Sequence, residues 1–218
     1  MGETVTPIES GRARRPAKAY PSAPWTLSGN AHLHLFGMRR DRLPAVPGDF
    51  RPIVLGGHGF VVAGWVDYRA GSVPGYRELL AAIVGRWRGR PTATVTHMWV
   101  DSDASRRGGR ELWGYPKEMA EFDVGIDPAG TASARDERGE IASGAFRAWV
   151  ASPWRVRATG GTVQALGGET VAIDAVTAGR PVLGTGEFRP APDGPLGFLA
   201  GARRVASFGL RDFTTRFG

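Results

Sequence analysis

Glycine and proline interrupt this chain so often that long helices have little room to form. There are 32 Gly and 16 Pro among 218 residues. Each Pro removes a backbone donor, and each Gly brings freedom that a helix must freeze out. No sustained helical heptads appear. Short runs of alternating or continuous apolar residues take their place, bounded by turn residues, which is the pattern of strands. Ala31–Met38 alternates His, Leu, His, Leu and Phe, and Phe60–Tyr68 is nearly continuously apolar, as a strand buried on both faces requires. Thr92–Val100 is rich in β-branched and aromatic residues. Phe122, Val124 and Ile126 alternate with polar neighbours and lead to a turn at Asp127-Pro128-Ala129-Gly130. Thr131–Asp136 and Ile141–Val150 read as strands joined at Glu137-Arg138-Gly139. Thr162–Leu166, Thr170–Val176, Pro181–Phe188 and Arg204–Phe217 follow. Tyr76–Val84 is ambiguous, because Glu78-Leu79-Leu80-Ala81-Ala82 favours helix while the flanking glycines and short length allow a strand. After Asp101, Ser102 or Asp103 is placed to cap a short helical turn through Arg107, ending at Gly108-Gly109. The count approaches ten strands, and an antiparallel barrel or cone, closed or nearly so, is the natural way to dispose of their edges.

Several classes of function drop away on composition. The net charge of +7 comes almost wholly from Arg, but the arginines are scattered and no nucleic-acid motif accompanies them. Without cysteine there is no disulfide and no thiolate metal site, which suits a reducing cytoplasm. No apolar run reaches the length needed to cross a bilayer. His32 and His34 share one strand face, but no third ligand is placed by sequence, so no metal is expected. Residues 1–20, polar with Pro7, Pro16 and four cations, read as a disordered or loosely docked leader. Residues 21–218 read as a single domain.

The richest chemistry lies in Gly109-Arg110-Glu111-Leu112-Trp113-Gly114-Tyr115-Pro116-Lys117-Glu118. Two Gly, one Pro and two aromatics make a poor helix interior, so the stretch reads as a fixed turn entering a strand. Lys117 stands out because the chain has 26 Arg and only two Lys, Lys18 and Lys117. An amine can lose its proton and attack a carbonyl; a guanidinium cannot. Of the remaining candidates, Glu111 either holds the loop or moves a proton, and Arg110 either binds a substrate carboxylate or makes an ion pair. Tyr115 shares the face of Lys117 in an extended chain. His58 and His97 are the other available proton shuttles.

The run Gly109-Arg110-Glu111-Leu112 with Tyr115-Pro116-Lys117 resembles the active-site segment of the acetoacetate decarboxylase family. Trp99–Ser105, Met119–Phe122, Asp67-Tyr68, Tyr76-Arg77-Glu78-Leu79 and the closing Phe217-Gly218 also look like that family, and the similarity spans roughly residues 20–218. The resemblance implies a mainly β fold, an antiparallel β cone or double barrel with few short helices around a closed pocket, and it implies that Tyr76–Val84 is a strand. It further implies that Lys117 condenses with a ketone or keto acid to form an imine, which takes up the electrons of a neighbouring breaking bond. An ordinary lysine, with a pKa of about 10.4, is nearly all protonated at neutral pH, so the site must keep this one dry.

The expected activity is therefore an imine-forming lyase on a β-keto acid or related keto acid, of the decarboxylase type, with Lys117 and Glu111 catalytic and Arg110, Trp113, Tyr115 and Glu78 binding substrate. The alternatives are an aldolase or dehydratase using the same lysine, or a non-catalytic small-molecule-binding relative. No cofactor, nucleic acid or membrane is expected. The resemblance implies a homo-oligomer. Three departures from the family pattern stand out. Glu118 occupies the place of a second lysine, Asn30 and Ala31 stand where the family's early arginine would be looked for, and the apolar Phe60–Val66 run lacks the family's glutamate. If the chain is extended there, Glu118 points away from Lys117.

Overall fold

A computed structural model describes residues 19–125 and 129–218. The leader through Lys18, together with Ile126, Asp127 and Pro128 of the expected turn, lies outside the described residues. Strands dominate: β1 (Trp25–Arg39), β2 (Arg51–Pro52), β3 (Val54–Leu55), β4 (His58–Gly71), β5 (Tyr76–Trp87) and β6 (Arg90–Val100) precede helix α1 (Asp103–Trp113). After it come β7 (Lys117–Met119), β8 (Glu121–Val124), β9 (Ala129–Asp136), β10 (Gly139–Ala151), β11 (Val156–Leu166), β12 (Glu169–Pro190) and β13 (Arg203–Phe217).

All the strands belong to one sheet, ordered β11-β6-β5-β4-β1-β13-β12-β10-β9-β8, with β2, β3 and β7 attached to β5, β4 and β6. Because β11 also pairs with β12, the path from β11 through β6, β5, β4, β1 and β13 to β12 returns on itself. Closure removes the exposed edges that a long open sheet would present. The pairings are antiparallel except β6 with β11 and β6 with β7.

Period-two alternation divides the core. Val61, Ala63 and Trp65 of β4 and Leu79, Ala81 and Ile83 of β5 point into the main cluster, with Phe36, Phe188 and Leu196. Their neighbours point the other way: Val66 and Tyr68 of β4 join Ala31 and Phe213, with Leu80 of β5 packed alongside. The faces of β4 and β5 are thus both lined, which is why Phe60–Tyr68 reads as a continuous apolar run.

The ambiguity at Tyr76–Val84 resolves as the strand that the resemblance implies, and two expectations need correction. Tyr76–Trp87 is a strand despite its helical propensity, because β4 and β6 flank it and complete its backbone hydrogen bonds; tertiary pairing overrides a propensity of a few tenths of a kcal/mol per residue. Thr170–Val176 and Pro181–Phe188 are parts of one strand, β12, which pairs with β11 first and with β10 farther along. The helix does not stop at Gly108-Gly109 but continues to Trp113. Ser102 caps it by accepting from the Ser105 N–H at 3.3 Å, and Asp103 pairs with Arg106 and Arg107 one turn on. Gly108 and Gly109 sit inside the helix because a side chain there would collide. A Cβ on Gly108 would lie 2.5 Å from the Trp25 ring, and one on Gly109 would lie 2.7 Å from Lys117 Cδ.

Candidate active site

Lys117 is delivered by the end of α1. Gly114 ends the helix at φ 72°, where its own N–H and that of Tyr115 bond back to Arg110 and Gly109. Only glycine takes that left-handed conformation cheaply, and here a Cβ would also meet the Ala165 carbonyl at 2.2 Å. The chain then runs extended, and Lys117 pairs with Met98 in the parallel β6–β7 ladder. The Arg110 guanidinium donates to the Lys117 carbonyl at 3.0 Å, tying the helix end to β7.

The Lys117 side chain turns inward and is 4% exposed. Its Nζ donates to Ser105 Oγ at 2.8 Å, to Glu78 Oε2 at 2.9 Å and to the Tyr76 hydroxyl at 3.4 Å. The ammonium's three protons thus have three oxygen acceptors. Glu78 is buried as deeply, at 3% exposure. A carboxylate and an ammonium this dry are tolerable only because each partners the other. Tyr76 stacks against Tyr68 with ring centroids 4.6 Å apart. Burial, and then the Glu78 charge, push both phenols well above the ordinary tyrosine range, so they stay protonated at neutral pH.

Lys117, Glu78, Tyr76 and Tyr68 line a cavity of about 170 Å³, with Ser105 buried behind the amine. Residues of β4, β5, β6, β7, β11, β12 and β13 contribute to its wall, so it lies where the closed strand path converges. Leu80, Val95, Met98, Ile173 and Phe217 form an apolar wall, with Tyr115, Thr162 and Thr215 supplying hydroxyls. Tyr115 bonds to Thr162 at 2.7 Å, and burial pushes its phenol up to about 12. Among the described residues lining the cavity, Lys117 is the only cation and Glu78 the only carboxylate.

The structure therefore brings together Lys117, Glu78 and Tyr115 and separates them from Glu111, Arg110 and Trp113. Glu111 is exposed on the outside of α1, where it accepts from the Tyr20 hydroxyl. The helix is the reason: Glu111 and Lys117 share a strand face only if the stretch is extended throughout. Arg110 is exposed and spends its reach on backbone, and Trp113 packs on Trp25 and Phe217 in a core cluster. Glu118 projects to the exposed side of β7, as alternation requires. His97 stacks on Phe198 and Trp99, and His58 is exposed, bonded to the Gly56 carbonyl; neither lines the cavity. No group of three or more metal-ligating side chains occurs among the described residues, and none of their helices is long and apolar enough to cross a membrane.

Sequence reasoning passed over Ser105, Tyr76 and Tyr68. The two tyrosines flank the Asp67 and Glu78 segments quoted for the resemblance, so a β4–β5 register would have exposed them as neighbours. For Ser105 the signals were its place three residues after the cap and at the end of the Trp99–Ser105 segment of the resemblance.

Comparison with known proteins bears on the family and the fold. The family model described as acetoacetate decarboxylase (ADC) matches residues 44–195. Acetoacetate decarboxylase 3 of Mesorhizobium japonicum is 42% identical over 45 residues, which span 21% of this chain and only 18% of that protein. The crystal structure of acetoacetate decarboxylase from Legionella pneumophila superposes with a TM-score of 0.72 at 16% identity, covering 96% of this chain and 90% of that one. The enduracididine biosynthesis enzyme MppR complexed with pyruvate gives 0.66 at 14% identity, over 90% and 88% of the two chains. An acetoacetate decarboxylase-like enzyme from Sphingomonas wittichii RW1 gives 0.65 at 17%, over 93% of each. At such identities the likeness shows a shared fold.

Proposed function

The chain belongs to the acetoacetate decarboxylase family, and from that premise we propose that it is an imine-forming lyase in which Lys117 attacks the carbonyl of a small keto acid or ketone. The observation that carries this reading is the Lys117 amine, buried at the cavity wall and 2.9 Å from Glu78. A proton can pass along that hydrogen bond from Nζ to the carboxylate. That transfer leaves a neutral amine beside a neutral acid with no change in net charge. The site thus generates its own nucleophile, and Glu78 holds the proton that the departing oxygen needs.

Once the imine has formed, a β-keto acid breaks the bond to its carboxylate. The bonding pair moves into the iminium, carbon dioxide leaves and an enamine remains. Protonation of the enamine carbon and hydrolysis return the amine. The apolar wall of Leu80, Val95, Met98, Ile173 and Phe217 supports this route, because a carboxylate loses its hydration there while the departing carbon dioxide is neutral.

A second reading rests on Glu78 itself. In a cavity whose only carboxylate already faces the amine, a neutral carbonyl partner meets no like charge. Aldol or dehydration chemistry through the same enamine therefore remains the competing route. The test is trapping. The protein is incubated with acetone, pyruvate and acetoacetate, reduced with borohydride and digested for mass analysis. An adduct confined to Lys117 is the expected result, and no adduct with any of the three would overturn the reading. Carbon dioxide release from acetoacetate then separates the two routes.

A further inference from the structure

The oxygen nearest the amine belongs to neither the carboxylate nor a phenol. Ser105 Oγ lies 2.8 Å from Lys117 Nζ, against 2.9 Å for Glu78 and 3.4 Å for Tyr76. Ser105 is 0% exposed, and its hydroxyl also meets that of Tyr76. Its place is held from two directions: the Ser105 N–H is fixed on the Ser102 cap, and Gly109, one turn further along α1, leaves the groove through which the Lys117 stem passes. Glu78 is meanwhile engaged by Lys117 and Tyr76 on the same oxygen, Oε2. A serine hydroxyl can accept one proton while giving up another, which an ionised carboxylate cannot do.

We infer that Ser105 is a catalytic residue that relays a proton from the attacking amine to the carbonyl oxygen during imine formation, an inference that rests on the imine reading above. When neutral Nζ attacks, the N–C bond forms and the π pair of the carbonyl moves to oxygen. The nitrogen then carries a surplus proton and the oxygen a negative charge two bonds away. Direct transfer between them closes a strained small ring, whereas passage through a hydroxyl relaxes it. Nζ gives its proton to Ser105 Oγ as Ser105 gives its own to the oxygen, and the serine ends as it began. The carbinolamine then loses its oxygen as water: the nitrogen lone pair forms C=N, the C–O bond breaks, and the proton held by Glu78 completes the water. Two protons leave the ammonium, one through Ser105 and one through Glu78, and the iminium keeps the third. The first turn of α1 suits this role, because its partial positive charge stabilises the alkoxide character that a relaying hydroxyl develops.

The test is rapid-quench borohydride trapping with acetone and with pyruvate on the parent, Ser105→Ala and Ser105→Thr. The expected result is a saturated trapping rate about 100-fold lower in S105A, with the half-saturating carbonyl concentration and the thermal midpoint nearly unchanged. S105T, which keeps the hydroxyl, is expected to recover to within about ten-fold of the parent. A saturated rate in S105A equal to the parent's would overturn the relay. So would an S105T that folds normally yet is as slow as S105A, or a loss in S105A expressed only in half-saturation or unfolding. Failure of the parent itself to form an adduct strikes the imine reading instead, so the two failures are distinguishable.

Discussion

Two buried polar clusters occupy opposite faces of the same sheet. On one face, Lys117, Glu78, Ser105 and Tyr76 enclose an ion pair. On the other, His32 and His34 are 3% and 1% exposed among aromatic rings: His32 lies on Phe146 with centroids 3.6 Å apart, and His34 packs near Phe36 and Phe188. His34 reaches Ser207 at 2.9 Å. Burial, with the Arg204 charge as a second cause, lowers its pKa to about 4, so the ring is neutral near pH 7. Both clusters solve the same desolvation problem. His34 solves it by shedding charge. The lysine face solves it by pairing opposite charges across one hydrogen bond, and only that solution leaves a proton free to move between two groups without cost in net charge.

The largest effect expected from breaking this contrast is at Lys117. Lys117→Met should abolish borohydride-trapped adducts altogether and, by stranding Glu78, cost about 3–5 kcal/mol in denaturant unfolding. Adding Glu78→Leu should recover most of that stability and none of the trapping. A single variant as stable as the parent would show that the pair is not what keeps Glu78 buried.

Neighbouring glycines give a finer cut. In Gly109→Ala the new Cβ meets Lys117 Cδ at 2.7 Å, a flexible stem that can yield. The fold should survive and the trapping rate fall roughly 100-fold, because displacement of a reacting atom by an ångström costs about that much. In Gly108→Ala the Cβ meets the Trp25 ring at 2.5 Å, which cannot yield. Stability should drop by about 1–3 kcal/mol, less any gain in helix propensity, while the folded fraction traps at the parental rate. Equal behaviour of the two variants would show that α1 does not separate Lys117 from the core.

On the histidine face the effect is expected only in acid, and trapping at neutral pH should not change. Burial favours the neutral ring, so the unfolded chain, with a histidine pKa of 6.5, takes up the proton first. Stability owed to His34 is therefore intact above pH 6.5 and falls as pH drops toward 4, by about 3 kcal/mol in all. His34→Gln should flatten that slope between pH 6.5 and 4 when thermal midpoints are measured across the range. An unchanged slope would assign it to other groups.

The strands were legible wherever one side chain in two had to face a core. Thr92–Val100 and Ile141–Val150 announced themselves by β-branched and aromatic content, and the structure extends them only at their ends. Lys117 was legible because an Arg-rich chain carries so few lysines. The helix was misread, since Gly108 and Gly109 oppose it by propensity and are explained only by Trp25 and Lys117 pressing against them. Because the helix swings Glu111 outward, its expected role went with it. For Glu78 the sequence offers no register, and the β4–β5–β6 pairing supplies it.

By itself the sequence determined that this chain would be strands and turns, and that one lysine would stand among aromatics. Those properties depend on side-chain period and composition, which neighbours along the chain express. Tertiary structure decided which groups touch that lysine. Glu78 and Tyr76 arrive from positions 39 and 41 residues away, and Ser105 from 12. Their meeting depends on strand register, on the closing of β11 against β12, and on a helix that ends at Gly114. No local pattern encodes such convergence, because it follows from how a whole sheet buries its two faces at once.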